Sequence, residues 1–384
     1  MKRLVAMATI ISSTALSAAT VNGFDLEAYG FLRVSSMYAD SALASFNNIN
    51  MSAPTHAAPQ TRSQDKTSRM GFQTAQSRIG VNMKKGENLS AKLEFDFIDF
   101  NKSSPTTQMN PRVRIAAVTY AWENKKVVIG QDWDLFSPVT GFTFDYVGVF
   151  FHAGNTGFMR QQVQYLQTHG NWELGGALGM AGNNPGVTDG NLEASKSPTY
   201  ALRLTRKLET GRVGISGIYA KLKYQEGTQN GSSHDAYGGN AFYEHVLGKL
   251  SIKSEAYYGQ NMNNIGTLAI GKGTDSSDVK EFGGTLTGNL VLSEKTGVFG
   301  GVGMAKVDNK SSLTPFAPQG TGAAITSPGL ASNFLSRIGY EYKITPDFSW
   351  LTELSRYETK AKLADNGYQL NIAYGLESGI QLRF

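Results

Sequence analysis

The feature that most constrains this chain is the regularity of its joins. Segment after segment alternates with a period of two. In the first, Leu26, Ala28, Leu32 and Val34 share one parity, and Glu27, Tyr29, Arg33 and Ser35 share the other. Such a pattern makes a strand with one apolar and one polar face. Tight turns at KKGEN, ENKK, THGN, LETGR, Gly248, SEKT and Pro346–Asp347 join these segments in pairs. Longer joins separate the pairs, at Asp40–Arg69, Asn101–Asn110, Asp132–Gly157, Gly182–Ser197, Gln225–Asp235, Asn261–Asp278, Asp308–Ser332 and Thr359–Gly367. Short and long joins alternate throughout, giving about sixteen strands, seven short turns and eight long loops. The expected fold class is all-β, an antiparallel barrel closed so that no strand is left as an edge. A soluble β-sandwich, the alternative, has no need of such alternation.

The polar faces carry charge. In LSAKLEFDFIDF, Leu89, Ala91, Leu93, Phe95 and Phe97 face one way, and Lys92, Glu94 and Asp96 the other. Three charges on one strand face are costly in a dry core and acceptable where that face meets water. Only 17% of the 384 residues are charged, and there are 43 Gly and no Cys. With no disulfide available, a large core or a closed sheet must hold the chain.

At the N-terminus Lys2 and Arg3 precede an apolar run from Leu4 towards Ala18, with Ser17 and Ala19 at the spacing of a cleavage site. Residues 1–19 are expected to be a secretory signal peptide, with a second candidate cut after Gly23. The mature domain, 24–384, is then a single barrel. A short N-terminal helix of a cytoplasmic protein is the alternative. Loss of Lys2 and Arg3 lowers the formal charge of +5 by two, which argues against a nucleic-acid partner. Beyond residue 19 no apolar run approaches the length of a spanning helix.

One join stands apart. Gln131–Arg160, QDWDLFSPVTGFTFDYVGVFFHAGNTGFMR, is too long for a hairpin turn and too apolar for a solvated loop. Phe136, Phe142, Phe144, Tyr146, Val149, Phe150 and Phe151 need cover. Loops of this length inside a compact domain are usually functional. The segment is expected to fold into the barrel and narrow it, rather than to sit outside on a cluster of its own.

An even strand number, short turns at one end and long loops at the other is how bacterial outer-membrane barrels are built. Three of the four Trp lie near short turns, as in a membrane-interface girdle. The chain ends Ile380-Gln-Leu-Arg-Phe384, which resembles the C-terminal signature read by the barrel-insertion machinery. RIGVNMK resembles the second-strand motif of porins, and PRVRIAAVTYAW followed by VVIGQDWDLF resembles the run leading into their third loop. The whole mature chain thus resembles a general diffusion porin of the sixteen-stranded homotrimeric kind, of a Gram-negative outer membrane, with a weaker likeness to dicarboxylate-uptake porins. The resemblance implies passive ion and solute transport through a water-filled channel, contact with the lipid bilayer and lipopolysaccharide, and passage of small polar or anionic solutes. One departure is that Gln131 follows Gly130, where many porins carry Arg.

Selectivity in a pore rests on size, charge and hydration at the narrowest point. Inward parity assigns Arg33, Arg78, Arg112, Arg114 and Arg160 to the lumen. The resemblance implies that Arg78 and Arg160 line a basic constriction wall, which Arg112 and Arg114 join. Asp132, Asp134 and Asp145 on the inserted loop are expected to face them, with Lys92, Glu94 and Asp96 on the wall between. Four cations against three loop acids predict a mild anion preference. Gly175–Gly179 and Gly283–Gly288 are candidates for subunit packing. His56, His152, His169, His234 and His245 show no metal-ligand spacing, and there is no GxSxG motif; neither a cofactor nor an enzymatic activity is expected. An adhesin, receptor or envelope scaffold built on the same barrel stays open as an alternative.

Overall fold

The computed structural model describes residues 19–41, 68–98, 110–144, 150–180, 192–193, 197–224, 233–273, 277–313, 329–362 and 367–384. Residues 1–18 of the proposed signal segment, His56, Asp145, Tyr146 and Val149 lie outside the described residues.

Sixteen antiparallel strands form the barrel. They are β1 (Phe24–Ala39), β2 in two pieces (Arg69–Gln73 and Arg78–Lys85), β3 (Leu89–Asp96), β4 (Arg112–Trp122), β5 (Lys125–Trp133), β6 (Met159–His169), β7 (Trp172–Gly179) and β8 (Thr199–Leu208). The second half is β9 (Gly211–Tyr224), β10 (Ser233–Leu247), β11 (Leu250–Gln260), β12 (Lys280–Val291), β13 (Thr296–Val307), β14 (Leu330–Lys343), β15 (Phe348–Lys362) and β16 (Tyr368–Arg383). Two short segments, Ala19–Val21 and Leu192–Glu193, add local pairings to β1 and β9. Each strand pairs with its neighbour in sequence. β16 pairs with β1, from Gly375 opposite Ala39 to Arg383 opposite Phe31, so the sheet closes. The seven short turns and eight long loops fall where the alternation placed them.

The outer face is apolar. Ile129, Leu178, Leu202, Ile215, Leu286, Ile338 and Leu354 are all more than half exposed, an arrangement that suits lipid and not water. At the short-turn end Tyr120, Trp122 and Tyr165 form a chain of rings 5.7 and 6.4 Å apart, and Tyr340 meets Trp350 at 6.1 Å. A second ring belt, not anticipated, sits towards the long loops: Tyr38, Tyr200, Tyr219, Tyr237, Tyr258 and Tyr374 all point outward. Tyr374 and Phe384 are ten residues apart on one chain end. At about 3.3 Å per residue and a tilt of about 40°, that spans roughly 25 Å, the height of an outer-membrane apolar band. The barrel is built to cross an outer membrane many times.

Candidate functional site

The inner wall has two characters. On β1–β4 it is charged. The register of β3 and β4 slips at one point: Phe95 faces Val113, but Glu94 faces Ile115. Arg114 is the extra residue of a β-bulge, so Arg114 and Ile115 both turn inward and are each 3% exposed. Gln131, across from the bulge on β5, donates Nε2 to the carbonyls of Val113 and Arg114, 2.9 Å each. The residue standing in place of the usual Arg therefore secures the bulge.

The bulge sets the charge pairing. Arg112 Nε donates to Asp96 Oδ1 at 2.9 Å, Arg114 Nε to Glu94 Oε1 at 2.8 Å, and Arg114 Nη1 to Asp96 Oδ2 at 3.2 Å. Tyr29 donates its hydroxyl to Glu94 at 3.0 Å. Lys92, partly exposed, lies 3.9 Å from Glu94 and 5.0 Å from the Tyr29 ring centroid. Arg78 lies over the Phe31 ring at 5.6 Å. Arg112 and Arg114 were expected to face the acids of the inserted loop; instead they pair with carboxylates on the adjacent strand.

From β4 to β10 the inner wall mixes apolar patches with polar residues such as Arg160, Gln162, Gln164, Ser216 and Asn240 and the ion pairs Arg203–Glu173 and Arg212–Glu244. Ile115, Ala117, Val128, Leu166, Ala177, Ala201, Ile218 and Ala236 form one buried cluster with Leu135 and Phe136 of the third loop. The expected inward charges are present here as well, but this apolar patch among them is covered by the loop. Burying a Phe this fully is worth about 1.5–3 kcal/mol.

The third loop leaves β5 through Asp134. The Asp134 carboxylate accepts the backbone N–H groups of Phe136 (3.0 Å) and Ser137 (3.3 Å), which bends the chain inward, and it lies 3.6 Å from Arg160. Arg160 also donates to the carbonyl of Met180 at 2.6 Å. Asp132, opposite Arg160 in the ladder, accepts the N–H of Trp133 at 2.8 Å.

Beyond Asp134 the loop is fastened strand by strand to the lumenal wall. Ser216 on β9 and Asn240 on β10 donate to the carbonyl of Phe136. Ser137 donates to both carboxylate oxygens of Glu255 on β11, at 2.9 and 2.8 Å. Lys253 donates to Thr140 O, and Phe142 N to Thr287 Oγ1 on β12. Further on, Thr143 Oγ1 donates to Glu353 on β15 at 2.7 Å and accepts from Arg337 on β14 at 2.6 Å. Phe144 N donates to Glu353 at 2.9 Å. Arg33 on β1 donates to Phe144 O. Arg33 was assigned to the lumen; it does point inward, but it is 1% exposed and clamped between Phe144, Gln76 and Gln381. The hydrogen bonds to the loop thus lie on β9–β12, β14, β15 and β1.

The return limb, from Phe150, lies against β12 and β13 at glycines. A Cβ at Gly303 would collide with Ala153 O, and one at Gly154 with Gly284 O. Of the two stretches considered for subunit packing, Gly175 and Gly179 face inward against Leu135 and Arg160 and Gly283 against Tyr257, while Gly176 and Leu178 face outward. The three inward glycines make room inside the barrel.

A second loop enters as well, which the sequence reading placed among the polar outer joins. After β11 the chain makes a single 3-10 turn, Met262–Ile265, and Met262, Ile265, Ala269 and Ile270 are fully buried. Leu268 N donates to Thr156 O at 3.1 Å, and His152 N to Leu268 O at 3.0 Å. The apolar run Leu268–Ile270 in an otherwise polar join was the available signal.

No protein-family model and no curated protein matches the sequence. Among solved structures, the outer membrane channel DcaP of Acinetobacter baumannii has a TM-score of 0.72 at 15% identity, over 96% of this chain and 100% of that one. An anion-selective porin from Comamonas acidovorans has a TM-score of 0.57 at 13% identity, over 94% and 100%. OmpT, an outer membrane protein of Vibrio cholerae solved in a trimer form, has 0.55 at 13%, over 94% and 100%. Identities this low speak to architecture alone, and on that the matches over almost the whole chain agree: the fold is that of the sixteen-stranded outer-membrane porins.

Proposed function

We propose that this protein is a porin: a water-filled channel for passive diffusion of small hydrophilic solutes and ions, narrowed by the third loop at 131–158. The observation that carries this reading is the path of that loop, from β5 round to β1 along the inner wall. The remaining passage then runs beside the charged arc of β1–β4. There Arg33, Arg78, Lys84, Lys92, Arg112 and Arg114 share the inner face with Asp25, Glu27, Glu94 and Asp96, six cations to four acids, which supports a mild anion preference; a protein of the same fold is anion-selective. Opposed charges across a narrow, partly dehydrated gap orient dipolar solutes. Maturation removes residues 1–19, Phe384 engages the insertion machinery, and the channel works as a homotrimer, a state in which one protein of this fold has been solved. It has no catalytic role.

Single-channel recording of refolded protein in a planar bilayer tests this. Conductance steps in groups of three, with a reversal potential of anionic sign in a salt gradient, are expected. Silence from a correctly folded, heat-modifiable barrel would show that the two inserted loops seal the lumen. The adhesin or scaffold reading would then replace the channel.

A further inference from the structure

The outer face carries a groove of about 480 Å³ across β7–β11, near the short-turn end. Its rim and its floor differ chemically. Trp172, Arg206 and Tyr243 lie on one level, because Arg206 is opposite both Trp172 and Val213, and Val213 is opposite Tyr243. Two residues further from the turns, Ile215 is opposite Ala241, and Ala241 is opposite Ala256. These two alanines interrupt a wall of large outward side chains, and that interruption is the depression.

The rim is polar and aromatic. The Arg206 guanidinium stands over the Trp172 ring at 5.6 Å and has no ion-pair partner among the described residues. It points away from the lumen at the level where Trp and Tyr rings mark the headgroup zone. A cation there, above a dry apolar trough, complements an amphiphile with an anionic head and a hydrocarbon tail. The short turns of such a barrel are periplasmic, and the leaflet at that end is glycerophospholipid.

We propose that this groove is a binding site for an anionic glycerophospholipid of the periplasmic leaflet. Its phosphate meets Arg206 beside Trp172, and one acyl chain lies over Ala241 and Ala256 towards the membrane centre. A protein surface in the same place would leave Arg206 in a dry interface, where an uncompensated charge is costly.

The test uses the intact protein in mild detergent with palmitoyl-oleoyl phosphatidylglycerol, bound lipid being counted by native mass spectrometry. One lipid per chain is expected to resist dilution. Arg206→Gln should weaken it about fivefold, the worth of one cation near an anionic lipid surface, and Arg206→Lys should retain it. Ala241→Trp should fill the trough and abolish binding, with Ala256→Phe as a second filler if the first folds poorly. Heat-modifiable gel mobility establishes that each barrel is intact. Lipid retained in both Arg206→Gln and the trough-filling variant overturns the proposal. So does a trough-filling variant that leaves lipid bound but splits the oligomer, since a second copy of this chain would then be the occupant.

Discussion

Arg33 and Phe144 meet against the inner wall: the guanidinium of the first strand stands 4.3 Å from the ring centroid of the last described residue on the third loop's outgoing limb. It also donates to that residue's carbonyl. Cutting this clamp should free the loop end while leaving the barrel closed. Arg33→Ala is expected to raise open-channel noise and mean conductance in bilayer recordings. It should lower the thermal midpoint only modestly, since about 1–3 kcal/mol of hydrogen bonding to a charged group is lost. Unchanged conductance and noise would show that the other seats hold the loop alone.

Arg114 and Glu94 form a buried pair on the charged arc. Arg114→Gln leaves Glu94 without its main cation, so stability should fall by about 3–5 kcal/mol and the reversal potential should move in the cation-selective direction. Adding Glu94→Gln should recover most of the stability. Denaturant titration of the single and double variants, alongside reversal potentials, separates the two effects.

Gly303 lies flush under the return limb. Gly303→Ala puts a methyl group against the Ala153 carbonyl, and crowding of this kind typically costs about 1–3 kcal/mol. The limb should shift off β13, and trypsin should cut the loop faster than in the parent protein. Equal cleavage rates would contradict the close seating.

His152 lies between the two inserted loops, with Nδ1 3.4 Å from Ala269 O. Burial pushes its imidazole below the usual 6.5, and the hydrogen bond to Ala269 opposes this only in part. The neutral ring is therefore the form that fits. The loop contact has its full strength above about pH 6.5 and is lost as pH falls through the depressed value. Channel flicker should increase at acid pH in the parent protein and vary less with pH in His152→Gln. Matching pH profiles would exclude this residue as the source.

Much of the barrel was legible because a period of two is a direct imprint of strand geometry, and the joins had to alternate once the sheet closed. The inserted third loop was legible from its buried phenylalanines. The bulge at Arg114 was not, since register belongs to a pair of strands and not to one. Nor was the apolar patch on the inner wall: Ile115 and Val128 look like lipid-facing residues until a loop is known to cover them. The pairing of Arg112 and Arg114 with Asp96 and Glu94 followed from that same register.

The seats of the third loop also order events during biogenesis. Thr143 reaches Glu353 across 210 positions of sequence, and Arg337 across 194. Contacts so distant in the chain form late, after the segments between them have been placed. The loop can find its last anchors only when β14 and β15 have been laid down and the wall is whole. A half-assembled barrel thus carries an unfastened strap, and the lumen takes its finished shape as the final act of assembly.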